Sequence, residues 1–290
     1  MHTSFFRVRH YECDAYGHLN NVNYVRYLQE AGLQASAAAG YDLTCLMDMR
    51  CRWQTRRLQI DYLRPVRYGD EVEVSTCVEA HAAAALRWSY EFRLAGDPDP
   101  VARAQAESAL VDGRSMVPVE VVAGLALALC PDEGAPPTRV AALEPLPPQP
   151  APPPGIFAIR RRVIWSDLDM TQQVSDATLL AYTEACGMEV LAAHGWPAPR
   201  MVAEGFAVIL RRHQVEYYEP PQLGDELEIA TWASQVRAAS ALRHFTIRRV
   251  AGGALLACAD TVGVWVDLAN GRPIRIPSGF MDDFAPNLVP

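Results

Sequence analysis

Lysine is absent: all 26 basic residues of this 290-residue chain are arginines. That one absence excludes a Walker-A lysine, a pyridoxal Schiff base, kinase chemistry and a Ser–Lys nucleophile together. No G-x-S-x-G elbow is present, so an α/β-hydrolase serine mechanism is unsupported. The seven histidines are dispersed and show no H-E-x-x-H or similar ligand spacing, which speaks against a metal hydrolase. The seven cysteines (13, 45, 51, 77, 130, 186, 258) are odd in number and lack a C-x-x-C pair. They imply neither a disulfide framework nor a zinc site, and read as reduced, mostly buried thiols. No metal and no cofactor is expected.

Long hydrophobic runs are missing too. No stretch offers the roughly 20 apolar residues of a membrane span, and the first residues lack the apolar region of a signal peptide. The expectation is a cytoplasmic protein with no membrane association. A net charge of −8 lacks the broad basic surface that nucleic-acid phosphates demand, so no nucleic-acid partner is expected.

What is present is a chain with 50% hydrophobic residues, long enough for about two domains. One stretch stands out: His10-Tyr11-Glu12-Cys13-Asp14-Ala15-Tyr16-Gly17-His18-Leu19-Asn20-Asn21-Val22-Asn23-Tyr24. Asn20, Asn21 and Asn23 suit a helix start, because a short amide side chain accepts the first free N–H groups, and Gly17 permits a positive-φ turn. Beyond it Tyr24, Tyr27, Leu28, Ala31, Ala35 and Ala38 recur at spacings of three and four, which predicts a buried helix running to about Ala39 with Gly40 as its stop. Asp14 and His18 therefore stand at the positive end of a helix dipole, where a carbonyl oxygen can be polarised. Each residue alone has a plainer reading, Asp14 as a cap and His18 as a core histidine. The combination points to a site.

The chain also repeats itself. Asp61-Tyr62-Leu63-Arg64-Pro65-Val66-Arg67-Tyr68-Gly69-Asp70-Glu71 matches Glu216-Tyr217-Tyr218-Glu219-Pro220-Pro221-Gln222-Leu223-Gly224-Asp225-Glu226 at a constant offset of 155. At that offset Asp14 falls on Asp169 and Gly40-Tyr41 on Gly195-Trp196. The unit is about 120–130 residues long. Between the copies, residues 131–154 hold ten of the 22 prolines, a composition for a stiff, extended linker. The expected organisation is an N-terminal unit over 1–130, a linker over 131–155 and a C-terminal unit over 156–290. Residues 117–129 are apolar and read as either a last strand or a short helix.

Within the first copy, strands are predicted over 5–11, 57–63, 71–80, 86–94 and 101–111, with residues 82–85 blurring one boundary. In the second copy they are predicted over 157–165, 208–218, 225–234, 241–250 and 255–266, with a helix over 177–193 and a tail after the last strand. One long helix against an antiparallel sheet of about five strands is an α+β unit.

Residues 11–24, followed by Ile60-Asp61-Tyr62-Leu63-Arg64-Pro65 and Gly69-Asp70-Glu71, resemble the hotdog-fold thioesterases of the 4-hydroxybenzoyl-CoA thioesterase type. Trp165-Ser166-Asp167-Leu168-Asp169-Met170-Thr171-Gln172-Gln173-Val174 is similar to the catalytic segment of acyl-ACP thioesterases, a tandem branch of the same superfamily. The resemblance implies two tandem hotdog units, each a sheet wrapped around a long central helix. It implies hydrolysis of acyl-CoA or an acyl-carrier-protein thioester, with Asp14 as the family's carboxylate, Gly17 as its turn glycine, and His18 and Asn20-Asn21 as its histidine and paired asparagines. In the second copy Asp169 remains, but Thr171, Gln173 and Ser175-Asp176 stand where that branch has Asn, His and the asparagine pair. Glutamine cannot shuttle a proton near neutrality. One working site, on the first copy, is expected.

In that reading backbone N–H groups near Gly17, Asn20 and Asn21 stabilise the oxyanion, Asp14 acts as base or nucleophile, and His18 assists proton transfer. Tyr24 is expected to flank the acyl chain, and Arg56, Arg57 and Arg64 to bind the CoA phosphates, since guanidinium forks suit them. The protein is expected to be a monomer, an intramolecular pseudo-dimer, or a homo-oligomer. The alternatives are a hotdog hydratase or dehydratase, whose Asp-to-His spacing differs, and a non-catalytic acyl-binding protein.

Overall fold

The structure is a computed structural model and describes residues 1–82, 85–121, 125, 129 and 143–289. It divides into two compact units, Met1–Pro145 and Leu146–Pro290. Residues 131–142 of the expected linker, 122–124 and 126–128 of the apolar stretch, and the boundary at residues 83–84 lie outside the described residues.

The first unit begins with β1 (His2–Arg7), a single 3-10 turn at His10–Glu12, and the long helix α1 (Asn21–Ala38). A short helix α2 (Leu43–Asp48) leads to β2 (Cys51–Tyr62), β3 (Glu71–Ala82), β4 (Ala85–Leu94) and β5 (Pro100–Asp112). The strands pair antiparallel in the order β1-β3-β4-β5-β2. Helix α1 lies against β1 and β3.

Its start is fixed by Asn20, whose Oδ1 accepts the Val22 N–H at 2.9 Å. Its end is fixed by Gly40, whose φ of +87° is cheap only for glycine. The predicted stripe is buried through Ala35, whereas Ala38, in the last turn, is exposed. Opposite the helix the sheet alternates large and small side chains. Ile60 pairs with Ala104, which pairs with Tyr90, and Leu58 pairs with Ala106, which pairs with Trp88. The alanines of β5 leave room for the rings on β4, and each fully buried ring contributes about 2–3 kcal/mol by leaving water.

The second unit repeats this order: β6 (Phe157–Arg162), a 3-10 turn at Trp165–Asp167, α3 (Asp176–Ala193), α4 (Ala198–Ala203), then β7 (Phe206–Tyr217), β8 (Glu226–Ser234), β9 (Ser240–Arg249) and β10 (Leu255–Asp267). Its strand order is β7-β10-β9-β8-β6. Helix α5 (Ser278–Phe284), in what the sequence reads as a tail, packs Phe280 and Phe284 into a cluster with Trp196 and Trp265.

The helices α2, α4 and α5 have six or seven residues, too short to display an apolar period. β1 ends at Arg7 and β6 at Arg162, earlier than predicted, because the next residues turn into the 3-10 segments. Strand β2 begins six residues before the predicted start, a bulge between Thr55 and Arg57 having broken its alternation.

Candidate active site

The site loop of the first unit is a closed turn built on its aspartate. Asp14 Oδ1 accepts the backbone N–H of Tyr16 at 2.9 Å and of His18 at 3.0 Å. The Asp14 N–H donates to the His18 carbonyl at 2.8 Å, and the Gly17 N–H to the Asp14 carbonyl at 3.0 Å. Gly17 has a φ of +77°, the turn geometry its position requires. Asp14 Oδ2 accepts no hydrogen bond from any described residue. The His18 ring is half-exposed and has no partner among the described residues.

Two further contacts anchor the loop. The Leu19 N–H donates to the Val66 carbonyl at 2.7 Å, and His18 bridges to Arg67. On the helix side, the Glu12 carbonyl accepts both the Asn20 N–H at 2.9 Å and Asn23 Nδ2 at 2.7 Å. The Glu12 carboxylate, in a residue 7% exposed, accepts the Tyr27 hydroxyl at 2.8 Å and the Arg9 N–H at 2.7 Å. Burial pushes the Tyr27 phenol up, and the Glu12 hydrogen bond pushes the same way. This clasp of Glu12, Asn23 and Tyr27 was not expected from the sequence. The repeat offset carries the signal for it, because Asp167 and Tyr182 occupy the matching positions and bond at 2.6 Å.

The backbone donors expected for an oxyanion are mostly engaged. The N–H groups of Gly17, His18, Leu19 and Asn20 all donate within the fold. Asn21, the first residue of α1, keeps an N–H that donates to no described residue. Asn20 works through its side chain as the cap. Tyr24 lies in the core at 3% exposure, 5.2 Å from the Tyr62 ring and 5.5 Å from Phe92, rather than at an open surface. Burial, with the nearby charges of Asp14 and Asp70, pushes its phenol up, as burial and Asp14 do for Tyr16.

The expected phosphate arginines are not gathered at this loop. Arg57 pairs with Glu107 at 3.7 Å and donates to the Leu143 carbonyl at 3.1 Å. Arg64 clasps the β4–β5 connection through Asp97 at 2.8 Å and the carbonyls of Asp99 and Pro100. Arg56 sits at the β2 bulge.

In the second unit the matching loop keeps its backbone. Asp169 Oδ1 accepts the N–H groups of Thr171 at 2.8 Å and Gln173 at 3.3 Å, and the Asp169 N–H donates to the Gln173 carbonyl at 2.9 Å. The Thr171 hydroxyl adds a bond to Oδ1 at 2.6 Å, and Gln172 takes the glycine position with a φ of +61°. Ser175 caps α3 by accepting the Thr178 N–H at 3.1 Å.

A second polar cluster in this unit joins Ser234 Oγ to His244 Nε2 at 2.8 Å and His244 Nδ1 to Asp260 Oδ1 at 2.7 Å. Gln149 Nε2 donates to the same carboxylate oxygen at 2.8 Å and to the carbonyls of Phe245 and Ala259. All three relay residues are buried, so the relay ties the 149 segment to the sheet rather than meeting a substrate.

The family described as the thioesterase-like superfamily matches the chain over residues 8–149 and again over 163–284. The chain belongs to the thioesterase-like superfamily. Among its relatives, the acyl-CoA thioester hydrolase YbgC of Escherichia coli is 34% identical over 124 residues, 42% of this chain and 91% of that protein. At the level of fold, a structure from Lactobacillus plantarum provisionally assigned as an oleoyl thioesterase covers 91% of this chain and 95% of its own, with a TM-score of 0.73 at 14% identity. The 12:0-ACP thioesterase of Umbellularia californica covers 90% and 92%, with a TM-score of 0.66 at 18% identity. Thioesterase membership supports thioester hydrolysis as the activity and a hotdog-type mixed fold with a large antiparallel sheet. No described helix is long and apolar enough to cross a membrane.

Proposed function

We propose that this superfamily member hydrolyses acyl-CoA thioesters to a free acid and CoA at one working site, the Asp14 loop of the Met1–Pro145 unit. The observation that carries the reading is the divided carboxylate of Asp14: Oδ1 holds the loop closed, while neither Oδ2 nor the imidazole of His18, four residues on in the same turn, has a partner among the described residues. Each half of the chain is read as one hotdog unit around α1 or α3, joined by the proline-rich stretch.

Asp14 Oδ2 takes a proton from water as it attacks the thioester carbonyl carbon. The negative charge that develops on the carbonyl oxygen meets the free N–H of Asn21 at the start of α1, where the helix dipole adds to the donor. Collapse of the tetrahedral intermediate breaks the C–S bond. His18 or the protonated Asp14 returns a proton to the leaving thiolate. Asp14 as direct nucleophile would pass through an acyl anhydride, which water then cleaves. The second loop lacks the imidazole, Gln173 standing in its place, and is assigned no turnover.

CoA rather than carrier protein is favoured because the 34% identical relative is an acyl-CoA hydrolase, whereas likeness to carrier-protein thioesterases lies at the level of fold. The six described cysteines are all free thiols, which fits a reducing cytoplasm. The test is free-thiol release from short, long and aromatic acyl-CoAs. Wild type is expected to cleave at least one, and Asp14→Asn to lose that activity. An Asp14→Asn enzyme with full turnover would falsify the assignment.

A further inference from the structure

Four side chains form a rim around the Asp14 loop, and none was expected to bind anything. Arg9 precedes and Tyr11 lies within the 3-10 turn that enters the loop, and Arg67 and Tyr68 lie in the β2–β3 turn beside it. The two turns are fastened together. The Val8 N–H donates to the Asp70 carbonyl at 2.9 Å and the Gly69 N–H to the Val8 carbonyl at 3.0 Å. The bridge from Arg67 to His18 joins this rim to the catalytic turn itself.

Tyr11 and Tyr68 are 67% and 70% exposed, unusual for large rings on rigid turns, and both arginines face solvent. Among the described residues the Arg67 side chain makes no bond and the Arg9 side chain pairs with Glu12 at 3.5 Å. The Tyr11 ring meets His10 edge to face at 5.4 Å and stays largely in solvent. Two exposed rings with two guanidinium forks suit a phosphorylated nucleoside: rings stack on a base, and forks grip phosphate.

The internal repeat supplies a control. At the offset of 155, Arg9, Tyr11, Arg67 and Tyr68 fall on Ile164, Ser166, Gln222 and Leu223. The second turn keeps its backbone, with Gly224 at a φ of +87° like Gly69, and its N–H bonded to Val163 at 3.0 Å as Gly69 is to Val8. Were the rim residues fold determinants, the copy with the same backbone would need them. Instead both arginines and both tyrosines are lost from the copy that lacks the histidine.

We infer that Arg9, Tyr11, Arg67 and Tyr68 form the binding site for the adenosine-phosphate end of the CoA substrate, and select acyl-CoA over shorter acyl thioesters. This rests on the Asp14 loop being the hydrolytic site. The pantetheine arm reaches from the loop outward, which leaves the phosphates and base to fold over the rim. Arg56, Arg57 and Arg64 have no part in it.

Two measurements test it independently. The first is titration of the adenosine bisphosphate fragment of CoA into the Asp14→Asn protein by calorimetry, which requires no turnover. Saturable binding is expected, weakened about tenfold or more by Arg67→Ala with Tyr68→Ala. The second is the ratio of KM for an acyl-pantetheine to KM for the same acyl-CoA. Wild type is expected to favour acyl-CoA about tenfold, and the rim variant's ratio to fall toward one with kcat retained for acyl-CoA. A fragment that does not bind, a binding constant indifferent to the rim, or hydrolysis lost equally for both substrates would overturn the inference. So would rim variants that impair only cleavage of an acyl-carrier protein. Fragment binding in a protein that cleaves no thioester would keep this site while sinking the hydrolytic reading.

Discussion

In one unit Asp14 Oδ1 accepts the N–H groups of the residues two and four places on; in the other Asp169 Oδ1 does the same, and each aspartate N–H returns to the fourth residue's carbonyl. The backbone is common, yet around it His18 has become Gln173 and the Asn20-Asn21 pair Ser175-Asp176. An aspartate is thus kept wherever this turn is kept, because the turn needs its carboxylate oxygen as an acceptor. Retention of the aspartate shows the fold. The imidazole and the surrounding rim distinguish the copy proposed to do the chemistry.

The largest expected effect follows from that double duty. Asp14→Ala removes both the base and the acceptor, so turnover is expected to fall about a hundred- to ten-thousandfold and stability by about 1–3 kcal/mol, read by thiol release and denaturant unfolding. If stability is untouched, the carboxylate does not hold the turn. Converting the first loop toward the second, His18→Gln, is expected to lower kcat about ten- to hundredfold with little change in stability. Equal activity would make the histidine a bystander and break the contrast between the copies.

Acid separates the units next. Burial holds the His213 imidazole of β7 down at about 4 from an ordinary 6.5, whereas Leu58 occupies the matching place in β2. As pH falls below about 6.5, the unfolded chain takes up a proton that the folded unit does not accept until about 4, so stability is full above that window and lost through it. The loss is expected to approach roughly 3 kcal/mol for the second unit. His213→Leu should flatten the slope in pH-dependent unfolding, and an unchanged slope would place the acid sensitivity elsewhere.

Smaller effects concern the caps. Asn20→Ala and Ser175→Ala each remove a bond to the first turn of a long helix, at 2.9 and 3.1 Å, and should each cost about 1 kcal/mol of thermal stability. Only the first should also slow turnover, because α1 alone begins at the loop proposed to work. Smallest, Gln172→Gly should stabilise the second unit by up to about 1 kcal/mol, since a side chain at a φ of +61° is strained where Gly17 is not.

The long helix, the strands and the repeat could all be read from sequence because each rests on a local period or a fixed offset. The Asn20 cap and Gly40 stop were legible for the same reason. Other features depend on contacts between residues far apart. Tyr24 follows the apolar stripe, but only the packing of Tyr62 and Phe92 shows it to be core. Arg64 is a free guanidinium on paper and a clasp for Asp97 in the fold. Glu12 and Tyr27 are 15 residues apart, and their bond emerges when the chain turns back on itself. A sequence does not show which N–H groups a turn engages, and here those of Gly17 and Asn20 donate within the fold.

The central claim is that one loop is catalytic and the other structural, and the isosteric pair Asp14→Asn and Asp169→Asn tests it most directly. Asparagine keeps an oxygen to accept the loop N–H groups and removes the charge. Measured side by side for thiol release from the best acyl-CoA, Asp14→Asn is expected to lose about two or more orders of magnitude in kcat while Asp169→Asn retains wild-type turnover. Equal losses, or a loss confined to Asp169→Asn, would contradict the account.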